Sequence, residues 1–350
     1  MNLVQSIRFC CAMLFSVLIF SCSKKDNVSV TNRQDDMLAG TKLVTYLTGD
    51  AADVTKTTSA GLLLMGGGTD VDAAINWFLT KSGGGDVVVI RATGADGYNQ
   101  YMFNMVPVNS VESIIIDSRT KASLASVVAS IRNAEALFIA GGDQWDYVNY
   151  WKDTPVEDAI NYLLNTKKVP VGGTSAGLAV LGAAYYSAQN GSATSANALA
   201  DPYNKYMTID KDNFLSAPFL GNTITDSHYT QRDRQGRLIT FLARMMKDWA
   251  KTPVKGIGID EETAVCVDAT GVGRVYGNNN AYFLQNENLG PETCVARKSL
   301  TWNRSGTAVK AYTIHGAVAG NGQFNLADWS QYSGGIASHY FVNAGFLQQQ

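Results

Sequence analysis

The sequence predicts an α/β protein with a doubly wound, mostly parallel sheet and an antiparallel β-rich part behind it. Three observations carry this expectation. Apolar runs such as Gly61-Leu62-Leu63-Leu64-Met65 and Asp86-Val87-Val88-Val89-Ile90 lack the period-two alternation of a half-exposed strand, so both of their faces are expected to be covered. Helical patterns separate them. The runs also end in glycine-rich turns, at Gly66-Gly67-Gly68, Gly94, Gly141-Gly142 and Gly172-Gly173. In open parallel sheets ligands sit beyond the carboxyl ends of the strands, so these turns are expected to converge on one crevice.

The elements follow in order. Residues 61–65 form the first βα strand, and Val71, Ala74, Ile75 and Phe78 mark one face of the helix behind it. Residues 86–90 and 111–116 are the next strands, with a helix at Leu124 to Ile131. Leu137 to Ala140 is the fourth, followed by a helix around Val156 to Leu164. The fifth runs from Val169 into Gly173 and delivers Thr174-Ser175, with Leu178 to Ala184 read as helix. From Val254 the texture changes to short strands at 257–260, 263–267, 273–276 and 281–284, expected to be antiparallel.

The composition bounds the partners. A chain of 350 residues, 46% hydrophobic and 17% charged, has material for a real core. Its net charge of −2 and the lack of a basic cluster exclude a nucleic-acid partner. With only three histidines and no paired-cysteine spacing, no metal site is expected, and no cofactor. The start of the chain reads as an export signal: Arg8, an apolar run from Phe9 to Phe20 too short to span a bilayer, then Ser21-Cys22. The Cys after a small residue resembles a bacterial lipoprotein signal. That places the protein in the cell envelope, exported and held to the membrane by a lipid on Cys22. The expected organisation is a signal at 1–22, a polar tether at 23–42, a peptidase-like domain at 43–300 and an unassigned extension at 301–350. Export permits a disulfide between Cys266 and Cys294, but Cys266 lies in an apolar strand and a free core thiol is the favoured expectation.

Gly173-Thr174-Ser175-Ala176-Gly177 fits the G-x-S-x-G pattern of a nucleophile on a strand-to-helix turn. Small neighbours let the backbone turn tightly and leave the Ser175 hydroxyl exposed, while a helix start offers free N–H groups. The N–H of Ala176 is therefore a candidate oxyanion donor, and the Gly67-Gly68 loop a second source. His228 is the candidate base, in a polar stretch that also holds Arg232, Arg234 and Arg237; guanidinium forks suit a carboxylate, although these arginines equally fit a solvated helix start.

Taken together, Gly141-Gly142-Asp143-Gln144, Gly173 to Gly177, Asp226-x-His228 and Arg232-x-Arg234-x-x-Arg237 resemble the cyanophycinase branch of the serine peptidases that also contain aspartyl dipeptidase. The resemblance covers about residues 60–285. It implies a flavodoxin-like fold related to class I glutamine amidotransferases, Ser175 as nucleophile, His228 as base, an oxyanion hole from Gly67, Gly68 and Ala176, and a pocket lined by Gln144, Asp226, Arg232, Arg234 and Arg237. It also implies an orienting Glu between the Ser and the His. A gap-free alignment puts Ala193 there, leaving Asp201, a hydroxyl near Ser195, or nothing, in that role. Gly258 to Ala264, with Asp260-Glu261, reads as a structural strand and turn. The expected function is an exopeptidase or dipeptidase for acidic or Asp-linked peptides, with a homodimer allowed. Two other readings stand beside it: an inactive peptide-binding lipoprotein, and an α/β-hydrolase esterase using Asp268 and His315.

Overall fold

The computed structural model describes residues 42–350 apart from residue 288. The signal segment, Cys22 and the tether up to residue 41 lie outside the described residues. In chain order the first half comprises β1 (Val44–Gly49), β2 (Gly61–Met65), α1 (Asp72–Thr80), β3 (Asp86–Arg91), α2 (Asn99–Met105), β4 (Ser110–Ile115), α3 (Arg119–Ala122), α4 (Ala125–Asn133), β5 (Ala136–Ile139), α5 (Gln144–Trp151), α6 (Pro155–Tyr162) and β6 (Pro170–Thr174). The second half comprises α7 (Ala176–Ala179), β7 (Ala184–Tyr186), α8 (Ser195–Ala200), β8 (Ile209–Lys211), β9 (Thr223–Asp226), α9 (Gln235–Trp249), β10 (Val254–Ile259), β11 (Thr263–Asp268), β12 (Val272–Gly277), β13 (Asn280–Asn286), β14 (Val309–His315), β15 (Asn321–Asn325), β16 (Tyr332–Ser333), β17 (Ile336–Asn343) and β18 (Phe346–Gln349).

The strands form two sheets. The first runs β1-β4-β3-β5-β6-β2-β11-β12-β15-β16, and its centre, from β4 to β2, is parallel as the uninterrupted apolar runs require. On one face α1 and α2 cover Leu63, Met65, Val87, Val89 and Phe138, all buried. Burial of such a side chain contributes on the order of 1.5–3 kcal/mol. On the other face Leu62, Leu64, Val88, Ile90 and Leu137 share a core with Val127, Ile160, Ile257 and Phe283.

That second face differs from the simple doubly wound expectation. Helices cover part of it, and a second sheet of eight strands, ordered β18-β17-β14-β13-β10-β9-β7-β8, covers the rest. Its strands β7, β8 and β9 are three, three and four residues long, too short to leave a periodic signal. The helix expected through Ala184 stops at Ala179. A Cβ on Gly182 would lie 2.5 Å from Ala184 O and 2.7 Å from Thr223 O, so the chain turns there on a residue without a side chain and enters β7.

The segment at 301–350 is woven into both sheets: β15 pairs with β12, and β14 pairs with β13. Cys266 and Cys294 are both buried free thiols, in separate core clusters.

Candidate active site

The parallel register brings the ends of β2, β5 and β6 to one edge of the first sheet, and Ser175 stands there. Its backbone has φ 54° and ψ −111°, a left-handed φ that a serine avoids unless its surroundings impose it. Ser175 N–H donates to Met65 O at 3.1 Å, which ties the turn to the end of β2. The turn closes because Gly177 carries no side chain: a Cβ there would lie 2.1 Å from Ile139 O.

His228 arrives from the second sheet, two residues beyond β9. Its N–H donates to Gly66 O at 2.8 Å, docking the loop on the glycine turn after β2. Nε2 then lies 2.7 Å from Ser175 Oγ. Gly67, at φ 94°, is the surface both residues pack on; a Cβ on it would sit 2.4 Å from His228 Cε1 and 3.1 Å from Ser175 Cβ.

The other imidazole nitrogen faces a carboxylate. Nδ1 lies 2.6 Å from Glu261 Oε1. Glu261 follows β10, which runs parallel to and beside β9 with Gly258 level with Asp226, so the turn after β10 emerges next to His228. Its neighbour Asp260 is buried and saturated: it accepts from Thr230 N at 2.9 Å and Thr230 Oγ1 at 2.7 Å, and this clamps the β10 turn onto the histidine loop. The pair read as structural thus divides, Asp260 holding the turn and Glu261 reaching the imidazole.

None of the expected substitutes is near His228. Ala193 is buried and its N–H donates to the Tyr186 hydroxyl at 2.8 Å. Asp201 accepts from Tyr203 N at 3.0 Å and Arg297 N at 2.9 Å at the end of α8. Ser195 donates to Asp233 O at 2.6 Å and accepts from Gly236 N at 2.9 Å, pinning α8 to the start of α9. The expectation of an acid between Ser175 and His228 is therefore corrected: the carboxylate comes after the histidine. The esterase set is not assembled either. Asp268 pairs with Gly61, at the opposite end of β2 from Ser175, and accepts from Thr270 and Val272; exposed His315 faces Asn280 Oδ1 at 3.0 Å.

Burial pulls the His228 pKa below its ordinary value, opposed by the hydrogen bond to Glu261 and reinforced by Arg232 and Arg234. A depressed pKa keeps the imidazole neutral, and so able to accept a proton, at neutral pH. If His228 is the base, the acid limb of kcat/KM should have its midpoint below 6.5, checked by a pH profile of the free enzyme; a limb centred above that value contradicts it.

Among the described residues no hydrogen-bond acceptor faces the N–H of Gly67, Gly68 or Ala176. Gln144 opens α5 and donates to Tyr186 O at 2.6 Å, bridging the two sheets. Asp226 and Arg237 do not stand open to a ligand. Both are buried, and Arg237 binds Asp226 with two hydrogen bonds, Nε to Oδ2 at 2.8 Å and Nη2 to Oδ1 at 2.5 Å. Its Nη1 donates to Ser192 Oγ at 3.0 Å and Ala193 O at 3.2 Å. Arg234 is buried beside them, donating to Ser227 O at 2.8 Å, and Arg232 is exposed with Nε 3.8 Å from Glu261 Oε1. No group of His, Cys, Asp and Glu able to hold a metal occurs among the described residues.

The model of peptidase family S51 matches residues 62–275, which contain Ser175, His228 and Glu261. The chain belongs to peptidase family S51. Its curated relatives include cyanophycinases: that of Nostoc sp. is 28% identical over 179 residues, covering 51% of this chain and 54% of the relative. That of Synechococcus elongatus is 28% identical over 210 residues, covering 58% and 60%. The chain thus spans little more than half the length of these relatives. Among solved structures, a peptidase from an acI-B1 Actinobacterium aligns with a TM-score of 0.45 at 14% identity, over 66% of this chain and 95% of that one. A putative peptidase E protein from Listeria monocytogenes aligns with a TM-score of 0.41 at 15% identity, over 63% and 98%.

Proposed function

We propose that this family S51 chain is a serine exopeptidase or dipeptidase in which Ser175 attacks, His228 takes and returns the proton, and Glu261 holds the imidazole. The observation that carries this reading is the continuous relay from Ser175 Oγ through both nitrogens of His228 to Glu261. In the first half-reaction Ser175 Oγ adds to the scissile carbonyl as its proton passes to Nε2. The N–H groups of Gly67, Gly68 and Ala176 meet the oxyanion, and collapse expels the amine, which takes the proton from His228. Water then releases the acid by the same route in reverse order. The two-proton bookkeeping closes without a metal or cofactor.

A preference for acidic or Asp-linked peptides is supported by charge. Asp226 is shared by Arg237 and, at 3.6 Å, by buried Arg234, so exposed Arg232 is the guanidinium that brings positive charge to the crevice beside Glu261. A carboxylate 2.6 Å from His228 Nδ1 supports the active reading over that of an inactive binding protein. The test is release of free amino acids from α- and β-aspartyl dipeptides and longer acidic peptides by the wild type and by Ser175→Ala. Hydrolysis that needs Ser175 is expected; hydrolysis surviving the substitution, or confined to basic or apolar peptides, contradicts the reading.

We also propose that the chain is exported and anchored by a lipid on Cys22. Incorporation of labelled palmitate into the wild type and its loss in Cys22→Ala is the expected result, and a fully aqueous, unlabelled wild type contradicts it.

A further inference from the structure

Two strand connections cross between the sheets together behind the site. β10 and β13 pair in the second sheet, and β11 and β12 pair in the first. The β10–β11 connection, residues 260–262, and the β12–β13 connection, residues 278–279, therefore pass from one sheet to the other side by side. They are in contact: a Cβ on Gly277, at φ 106°, would lie 2.1 Å from Glu262 O. The sequence places three asparagines here, Asn278-Asn279-Asn280, against Asp260-Glu261-Glu262.

Each asparagine holds one residue of the acidic turn. Asn280 N–H donates to Asp260 Oδ2 at 3.3 Å, and Asp260 N–H donates to Asn280 O at 3.1 Å. Asn278 donates its N–H to Glu262 O at 2.9 Å and its Nδ2 to Glu262 Oε2 at 3.1 Å. Asn279 takes Glu261 itself, its Nδ2 donating to Glu261 O at 2.9 Å. The Asn279 N–H also donates at 3.0 Å to Thr263 Oγ1, whose hydroxyl donates to Glu261 O at 3.2 Å. From the other side Gln231, on the histidine loop, accepts the Glu261 N–H on Oε1 at 3.0 Å. A backbone N–H only donates and a carbonyl oxygen only accepts, so these partners fix both amide orientations. The backbone groups on either side of the Glu261 side chain are thus both bound by side chains. The carboxylate itself is 31% exposed, and Arg232 Nε lies 3.8 Å from the same Oε1 that meets His228, so an unanchored Glu261 has a competing partner.

We propose that Asn279 and Gln231 are positioning residues for the hydrolysis, fixing the Glu261 backbone so that its carboxylate stays on His228 Nδ1 rather than turning to Arg232. This rests on the reading of Glu261 as the carboxylate that holds the imidazole. Gln231 ties that acid to the loop carrying the base, and Asn279 ties it to the crossing strands behind. Both act on the Glu261 backbone, so their effect on the reaction should pass through its carboxylate and disappear without it.

The test measures the rate at which a small uncharged fluorophosphonate labels Ser175, with a thermal melt on each preparation. Asn279→Ala and Gln231→Met are each expected to slow labelling about ten- to one-hundredfold, the scale of a misplaced catalytic group. Gln231→Glu, which keeps an acceptor oxygen, should label faster than Gln231→Met. The acid limb of the labelling rate should also move to lower pH in Asn279→Ala. The hydrogen bond from Glu261 raises the His228 pKa against burial and the charges of Arg232 and Arg234, so loosening it lets the pKa fall. The decisive comparison is in the Glu261→Gln background, where Asn279→Ala should change the rate by no more than about threefold. Asn279→Ala labelling as fast as wild type overturns the proposal. So does a slowing of equal size with and without the Glu261 carboxylate, which marks a purely structural role. Glu261→Gln labelling at the wild-type rate removes the underlying reading instead. Gln231 is exposed, so Gln231→Met in both backgrounds carries the same comparison if Asn279→Ala does not fold.

Discussion

Glu261→Gln is expected to lower kcat/KM by about two to four orders of magnitude while the fold survives. The amide keeps the shape but loses the negative charge that stabilises the imidazolium formed as Ser175 attacks. It also presents Nδ1 with a group able to donate, which favours the wrong tautomer; loss of an orienting carboxylate costs up to about 10⁴-fold in a serine hydrolase. Glu261 is half-exposed at the tip of a turn held by Asp260, so removing its charge should leave stability almost untouched. Steady-state kinetics and thermal melts on the same preparation check both halves. Asp201→Asn and Ser195→Ala, at the positions the sequence offered instead, should leave the chemical step within a few-fold of wild type. An unaffected Glu261→Gln enzyme contradicts the assignment.

The second large effect is on stability. Asp226→Ala strands the Arg237 guanidinium, 1% exposed, without its counter-charge. Breaking a buried ion pair from one side costs about 3–5 kcal/mol, because desolvation remains while the Coulombic gain is lost. Denaturant unfolding should show that loss, and Asp226→Ala combined with Arg237→Met should recover part of it. The partial recovery matters, since it separates a supporting pair from a substrate contact. A variant as stable as wild type but defective only in KM would return both residues to the pocket.

What the sequence makes legible follows from how local each signal is. The Ser175 turn needs small residues within a few positions of one another, so the motif and the strained backbone coincide. The parallel centre of the first sheet is equally local, since each strand carries its own uninterrupted apolar run. Glu261 is different in kind. It meets His228 only because β10 pairs in parallel beside β9, with α9 between them in sequence, and no spacing rule along the chain expresses that adjacency. An acidic pair at the end of a strand neighbouring the histidine strand was the available signal. Searching only between Ser175 and His228 hid it. In the second sheet β10 and β13 were legible as antiparallel strands, whereas β7, β8 and β9 were not, since they are short and are stabilised by pairing with partners far along the chain.

Arg237 and Asp226 show a further limit. Charged residues near a candidate base read as pocket residues in sequence, whereas in the fold each satisfies the other and together they hold the histidine loop against α9. Chemistry type was legible there, and partner was not.

The account turns on Ser175 being an activated nucleophile. Treating the folded wild-type protein with a fluorophosphonate at neutral pH and mapping the adduct by peptide mass tests this most directly. A single adduct on Ser175, absent from His228→Ala and strongly slowed in Glu261→Gln, is the predicted result. A folded protein that takes up no label, or takes it up at another residue, contradicts it.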